Sequence, residues 1–111
     1  MEIAIDQEQG VTIISLNGEL QRQTAPGIQR KILPLIKPDC KILLDLGNVS
    51  YMSSAGLRLL LLFYRQIEAQ DGSVALARLQ ETVRDTMSIT GFLEFFTEYN
   101  TIEEGISVLN Q

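Results

Sequence analysis

The sequence predicts an α/β domain with a mixed, mostly parallel sheet, an N-terminal β-hairpin and about four helices. Three observations carry this reading. Two β-rich segments at the N-terminus flank a Gln9-Gly10 turn, which is the pattern of an antiparallel hairpin. Lys41-Ile42-Leu43-Leu44-Asp45-Leu46 is a short, nearly continuous apolar run, as in a central parallel strand covered on both faces. From there, strand-like and helix-like segments alternate to the C-terminus, giving the order β-β-α-β-α-β-α-β-α.

Each element has its own signal. Ile3 and Ile5 alternate with Glu2, Ala4 and Asp6 in the first strand. Val11-Thr12-Ile13-Ile14-Ser15-Leu16 is the second strand, and Asn17-Gly18 reads as the turn that ends it. Thr24-Ala25-Pro26 reads as an N-cap with a first-turn proline. Ile28, Ile32, Leu35 and Ile36 then recur at helical spacing, and Pro34 should end or kink that helix near Leu33. After the central strand, Gly47 to Met52 reads as a loop. A long helix is expected over about 55–70, stopped by Asp71-Gly72. Val74-Ala75-Leu76-Ala77 is a further strand. Val83, Met87 and Ile89 mark a third helix ending at Thr90-Gly91. Phe95 to Tyr99 suggests a last short strand. Thr101-Ile102-Glu103-Glu104 is a capping box opening a helix with Ile102, Ile106 and Leu109 inward.

Composition narrows the function. The chain has 111 residues, 45% hydrophobic and 21% charged, which suits one globular domain over 1–111. There is no histidine and one cysteine, Cys40. That removes the usual Ser-His and Cys-His nucleophile pairs, an internal disulfide and a cysteine zinc site. No phosphate-binding glycine motif is present. No catalytic residue, metal or cofactor is expected. The net charge of −5 argues against nucleic acid or an anionic membrane as partner. The N-terminus carries acids where a secretory signal would carry bases. The longest apolar run, Leu59 to Tyr64, is far short of the ~20 residues of a spanning helix. The expectation is a soluble cytoplasmic protein.

The distinctive stretch runs from Asp45 to Arg58 and joins the buried strand to the long helix. Ser53 and Ser54 stand at the start of that helix. Spacing allows two readings. One serine is an N-cap. Alternatively, a serine there is placed to carry a phosphate, which the helix dipole and the unpaired first-turn N–H groups would stabilise. On the helix itself, Leu57, Leu60, Leu61, Tyr64 and Ile67 share one face, flanked by Phe63. Leu59 and Leu62 fall outside that face, beside Arg58. They are read either as covered by another helix or as part of a partner-binding surface.

Three stretches resemble the STAS domain of bacterial anti-sigma-factor antagonists. They are Gly18-Glu19-Leu20 with Thr24-Ala25, Leu44-Asp45-Leu46 through Tyr51-Met52-Ser53-Ser54-Ala55-Gly56-Leu57, and Thr90-Gly91-Phe92. The resemblance covers essentially the whole chain. It implies partner switching: the unmodified domain binds an anti-sigma-factor serine kinase, phosphorylation releases it, and a PPM-type phosphatase restores binding. It places the phosphoacceptor at Ser54. A partner-binding surface is expected around Gln21, Ser53, Ala55, Gly56, Arg58, Leu59 and Leu62, the last three from their position on the helix opposite its core stripe. Ser53 and Gln21 stand where the family often has Asp. The alternative is an unphosphorylated STAS-type ligand-binding or assembly module. The expected state is a monomer or weak dimer.

Overall fold

A computed structural model describes residues 1–111. Five strands form one sheet in the order β1-β2-β3-β4-β5. They are β1 (Glu2–Glu8), β2 (Val11–Leu20), β3 (Lys41–Met52), β4 (Ser73–Ala77) and β5 (Thr97–Tyr99). β1 pairs antiparallel with β2, and every later pair is parallel. The helices are α1 (Ala25–Ile32), α2 (Ser54–Ala69), α3 (Glu81–Ile89) and α4 (Ile102–Leu109). The fold class expected from the sequence is the one found.

The two faces of the sheet are covered unequally. Ile14, Leu16, Ile42, Leu44 and Leu46 point to the face covered by α1, α2 and α3, which holds the main core. Val11, Ile13, Leu43, Ala75 and Ala77 point the other way, against Ile106 of α4. The near-continuous burial of β3 from Ile42 to Leu46 follows, because both of its faces have cover.

Two segments read as turn or loop are strand. β2 runs through Asn17-Gly18 to Leu20, and β3 runs through Gly47 to Met52. The register between them shifts between Ser15 and Asn17 and again between Gly18 and Glu19. These irregularities break the two-residue alternation, so breaker residues there mark bulges rather than ends. Gly18 has φ +131°, which only glycine adopts freely.

Other elements stop where the chemistry requires. Pro34 ends α1 at Ile32, and the chain continues as a 3₁₀ turn over Leu33–Leu35. Thr24 occupies the N-cap position without capping; its hydroxyl donates to the Glu19 carbonyl at 2.8 Å instead. Thr101 does cap α4, accepting from the Glu104 N–H at 3.1 Å. Ile89, one of the apolar residues that mark α3 in the sequence, is the last residue of that helix and is 86% exposed. Phe95 ends a 3₁₀ turn (Phe92–Phe95) rather than opening the last strand.

The wheel of α2 is rotated from the expected one. Its buried side is Gly56, Leu57, Leu59, Leu60, Phe63 and Ile67. Leu59 is only 4% exposed and belongs to the main core, so it cannot face a partner. Leu61, assigned to the core face, is half-buried and lies outside that core, while Leu62 is half-buried against it. The run of four leucines hides the helical phase, because any face drawn through it looks apolar. Leu59→Ala should therefore cost about 2–5 kcal/mol of unfolding free energy, as for a core leucine. Leu61→Ser should cost well under half as much. Urea denaturation of the two variants checks the assignment, and the reverse order would overturn it.

Candidate functional site

The site is the junction where β3 becomes α2. Ser53 is the N-cap, with extended backbone, and its Oγ accepts from the Gly56 N–H at 3.4 Å. Its own N–H donates to the Leu20 carbonyl at 2.9 Å, and its carbonyl accepts the first helical bond from Leu57 at 3.0 Å. Ser53 is thus used as structure on all three sides. Ser54 is the first helical residue. It is exposed, and its hydroxyl has no hydrogen-bond partner in the protein.

Gly56 explains how the helix can begin here. A Cβ at Gly56 would lie 2.5 Å from the Leu20 carbonyl oxygen and 3.0 Å from the Leu20 and Met52 side chains. Only a glycine lets α2 sit this close to the ends of β2 and β3. Gly56 is buried, so its place in the expected partner surface is corrected: it positions the surface and does not form part of it. Leu59 is excluded on the same ground.

Of the remaining expected residues, Gln21, Ser53, Ala55 and Arg58 stand at or within one helical turn of this junction, whereas Leu62 lies two turns along α2 and is half-buried against the core. Gln21 follows Leu20 directly and is half-buried. Its backbone is tied into the turn before α1, donating to Thr24 Oγ1 at 3.0 Å and accepting from the Ala25 N–H at 2.8 Å. Ala55 is half-buried beside Ser54, and Arg58 is exposed one helical turn further on. By helix geometry Ser54, Arg58, Leu61 and Arg65 lie along one outward side, and none of them is buried.

Sequence reasoning passed over a second polar cluster, midway along β2 and β3 and just past the end of β4. Asp45 is the one buried charged residue, 8% exposed. Its carboxylate accepts from Arg78 Nε at 2.9 Å, Arg78 Nη2 at 3.2 Å, Ser15 Oγ at 3.3 Å and the Gly47 N–H at 3.0 Å. Gln80 Nε2 donates to the Gly47 carbonyl at 2.9 Å. Both backbone groups of Gly47 are thus held by side chains, which supports the bulge in β3. The guanidinium of Arg78 lies over Gly47, where a Cβ would collide with it. The hydrogen bond to Asp45, with its opposite charge, holds Arg78 above the ordinary arginine range. The signal in the sequence was a lone acid inside an apolar strand, Leu44-Asp45-Leu46. Buried charges are paired, so it called for a cation.

No cluster of three or more His, Cys, Asp or Glu side chains could hold a metal ion. No helix is long and apolar enough to cross a membrane.

The geometry defines a single α/β domain with a free serine at the head of its second helix. The model of the STAS domain matches residues 2–105, and the chain belongs to the STAS domain family. It is 33% identical over 104 residues to BtrV of Bordetella bronchiseptica, named an anti-sigma factor antagonist, covering 93% of this chain and 90% of that one. It is 30% identical over 108 residues to the anti-sigma-B factor antagonist of Bacillus subtilis, covering 96% and 99%. Among solved structures it is similar to the anti-sigma factor antagonist SpoIIAA in its unphosphorylated form, at 25% identity and a TM-score of 0.80, covering 98% and 96%. The phosphorylated form of SpoIIAA, from Bacillus, matches at 25% identity and a TM-score of 0.73, covering 97% and 99%.

Gly56→Ala should destabilise the fold by about 1–3 kcal/mol, the range for overpacking against groups that cannot move aside. Thermal or urea unfolding checks it. An unchanged midpoint would mean that α2 can withdraw from Leu20 without cost.

Proposed function

We propose that the protein is a cytoplasmic anti-sigma-factor antagonist that works by partner switching. Unphosphorylated, it binds an anti-sigma-factor serine kinase. Phosphorylated on Ser54, it is released, and a PPM-type phosphatase resets it. The observation that carries the reading is the division of labour between adjacent serines. Ser53 is fully employed as a cap, while the Ser54 hydroxyl is exposed and unbonded. The relatives named as anti-sigma factor antagonists support the class of function, and SpoIIAA, known in both forms, supports the switch.

The physics of the switch is local. A phosphate adds about −1.5 to −2 charges at the start of α2, where the helix dipole tolerates an anion. In a docked interface the same group must be desolvated, at a cost of roughly 2–5 kcal/mol of binding. Gln21, Ser53, Ala55, Arg58 and Leu62 border the docking site, which is that of a monomer or weak dimer.

The test is phosphorylation by an anti-sigma-factor kinase, with binding measured alongside. Ser54→Ala should refuse phosphate, keep the fold and bind at full strength. Ser54→Asp should keep the fold and bind more weakly. Ser53→Ala should still accept phosphate on Ser54 while losing about 0.5–2 kcal/mol of stability with its cap. Stoichiometric phosphate on Ser54→Ala, with none on Ser53→Ala, would move the acceptor to Ser53. No phosphate on any form, with equal binding, would end the reading.

A further inference from the structure

The charges of this protein are sorted by layer. No acid occurs from Leu20 to Pro38 or from Leu46 to Ile67, the stretches that contain α1, all but the last residues of α2 and the start of the site. Those same stretches hold Arg22, Arg30, Lys31, Lys37, Arg58 and Arg65. All six are exposed, and none is in a salt bridge. The chain has 9 basic residues, so the other three share the rest of the molecule with all 14 acids. Two of those three, Arg78 and Arg84, are already paired with Asp45 and Glu98. The third, Lys41, donates to Asn110 at 2.8 Å.

α1 and α2 lie together on the main-core face, where Ile28 and Ile32 share one cluster with Leu57, Leu60 and Phe63. Arg30 and Lys31 therefore project outward from α1, and Arg58 and Arg65 from α2. Half-buried Leu61 and Leu62 sit between the two arginines of α2. Acids resume at the borders: Glu19 before α1, Glu68 in the last turn of α2, and Glu81 and Asp85 on α3.

We propose that the α1–α2 face is an interaction surface for an acidic patch on a partner protein, with Ser54 at its end. The inference deepens the switch by naming the chemistry of the surface that docks, and it rests on that reading for the role of Ser54. Exposed cations held in no salt bridge raise the rate of encounter with an acidic surface. Leucines between them supply the apolar contact that holds an interface once formed. An extended polyanion such as nucleic acid or an anionic bilayer fits less well, because it would also meet the acidic remainder of a chain whose net charge is −5. Phosphorylation then acts twice. It adds an obstacle at Ser54, and it occupies Arg58, one turn away on the same side, with a phosphate of its own chain.

The test titrates the ¹⁵N-labelled chain with poly-L-glutamate, phosphatidylserine vesicles and a DNA duplex in parallel. Poly-L-glutamate should shift amides of α1 and α2 and leave those of α4 unmoved. Its affinity should fall about tenfold or more between about 0.05 and 0.3 M NaCl. Arg30→Glu combined with Lys31→Glu should abolish the shifts, Ser54→Asp should weaken them, and Lys41→Glu should leave them unchanged. Vesicles and duplex should not bind at about 0.15 M NaCl. Shifts spread over the whole surface, loss in Lys41→Glu equal to that in the double reversal, or binding to vesicles or duplex would each overturn the proposal. Phosphorylation of Ser54 is measured separately. Phosphate on Ser54 with no mapped face would leave the switch and remove the surface, whereas a mapped face without phosphate would do the opposite.

Discussion

The carbonyl of Leu20 is the point on which the site depends. It ends β2, accepts the N–H of Ser53 at 2.9 Å, and lies so near Gly56 that no side chain fits between them. One backbone group therefore fixes three things: where β3 stops, where α2 starts, and how far the helix stands from the sheet. Gln21 follows on the same chain and is carried to the same place. Burial of Leu57, Leu59, Leu60 and Phe63 then holds the helix down, and Ser54 is left outward as the first residue with nothing to bond.

The Asp45 cluster does related work lower in β3. A strand that bulges between covered faces exposes backbone groups to a dry environment, where an unpaired N–H or C=O is costly. Asp45 and Gln80 take both groups of Gly47, and Arg78 neutralises the carboxylate. Beyond the bulge Val49 and Met52 regain the core, so the irregularity delivers the strand in register to Ser53. A phosphate arriving at Ser54 meets a scaffold that is already fixed from two sides. The proposed switch therefore changes charge at a rigid position and leaves the fold alone.

Much of this was legible in the residues, for physical reasons. The hairpin, the central strand, the proline stop of α1 and the Thr101 cap are local signals, and each appears where its local chemistry puts it. Which of the two serines caps α2 was not legible, since spacing alone could not separate them; the structure gives the cap to Ser53 and leaves Ser54 exposed. What was missed is what depends on partners distant in sequence. The bulges of β3 arise from its pairing with β2, and breaker residues cannot tell a bulge from an end. The phase of α2 was lost in its run of leucines, so Leu59 and Leu61 exchanged roles. Asp45 needs Arg78, 33 residues away, and neither residue announces the other.

The central claim, that modification acts on a fixed scaffold, is tested most directly by amide hydrogen exchange on the unmodified and Ser54-phosphorylated chains. The account predicts changes confined to the first turn of α2, with Leu20 and Gln21, and unchanged protection in β3, β4 and the rest of α2. Loss of protection across those strands on phosphorylation would contradict it, because the switch would then work by loosening the fold.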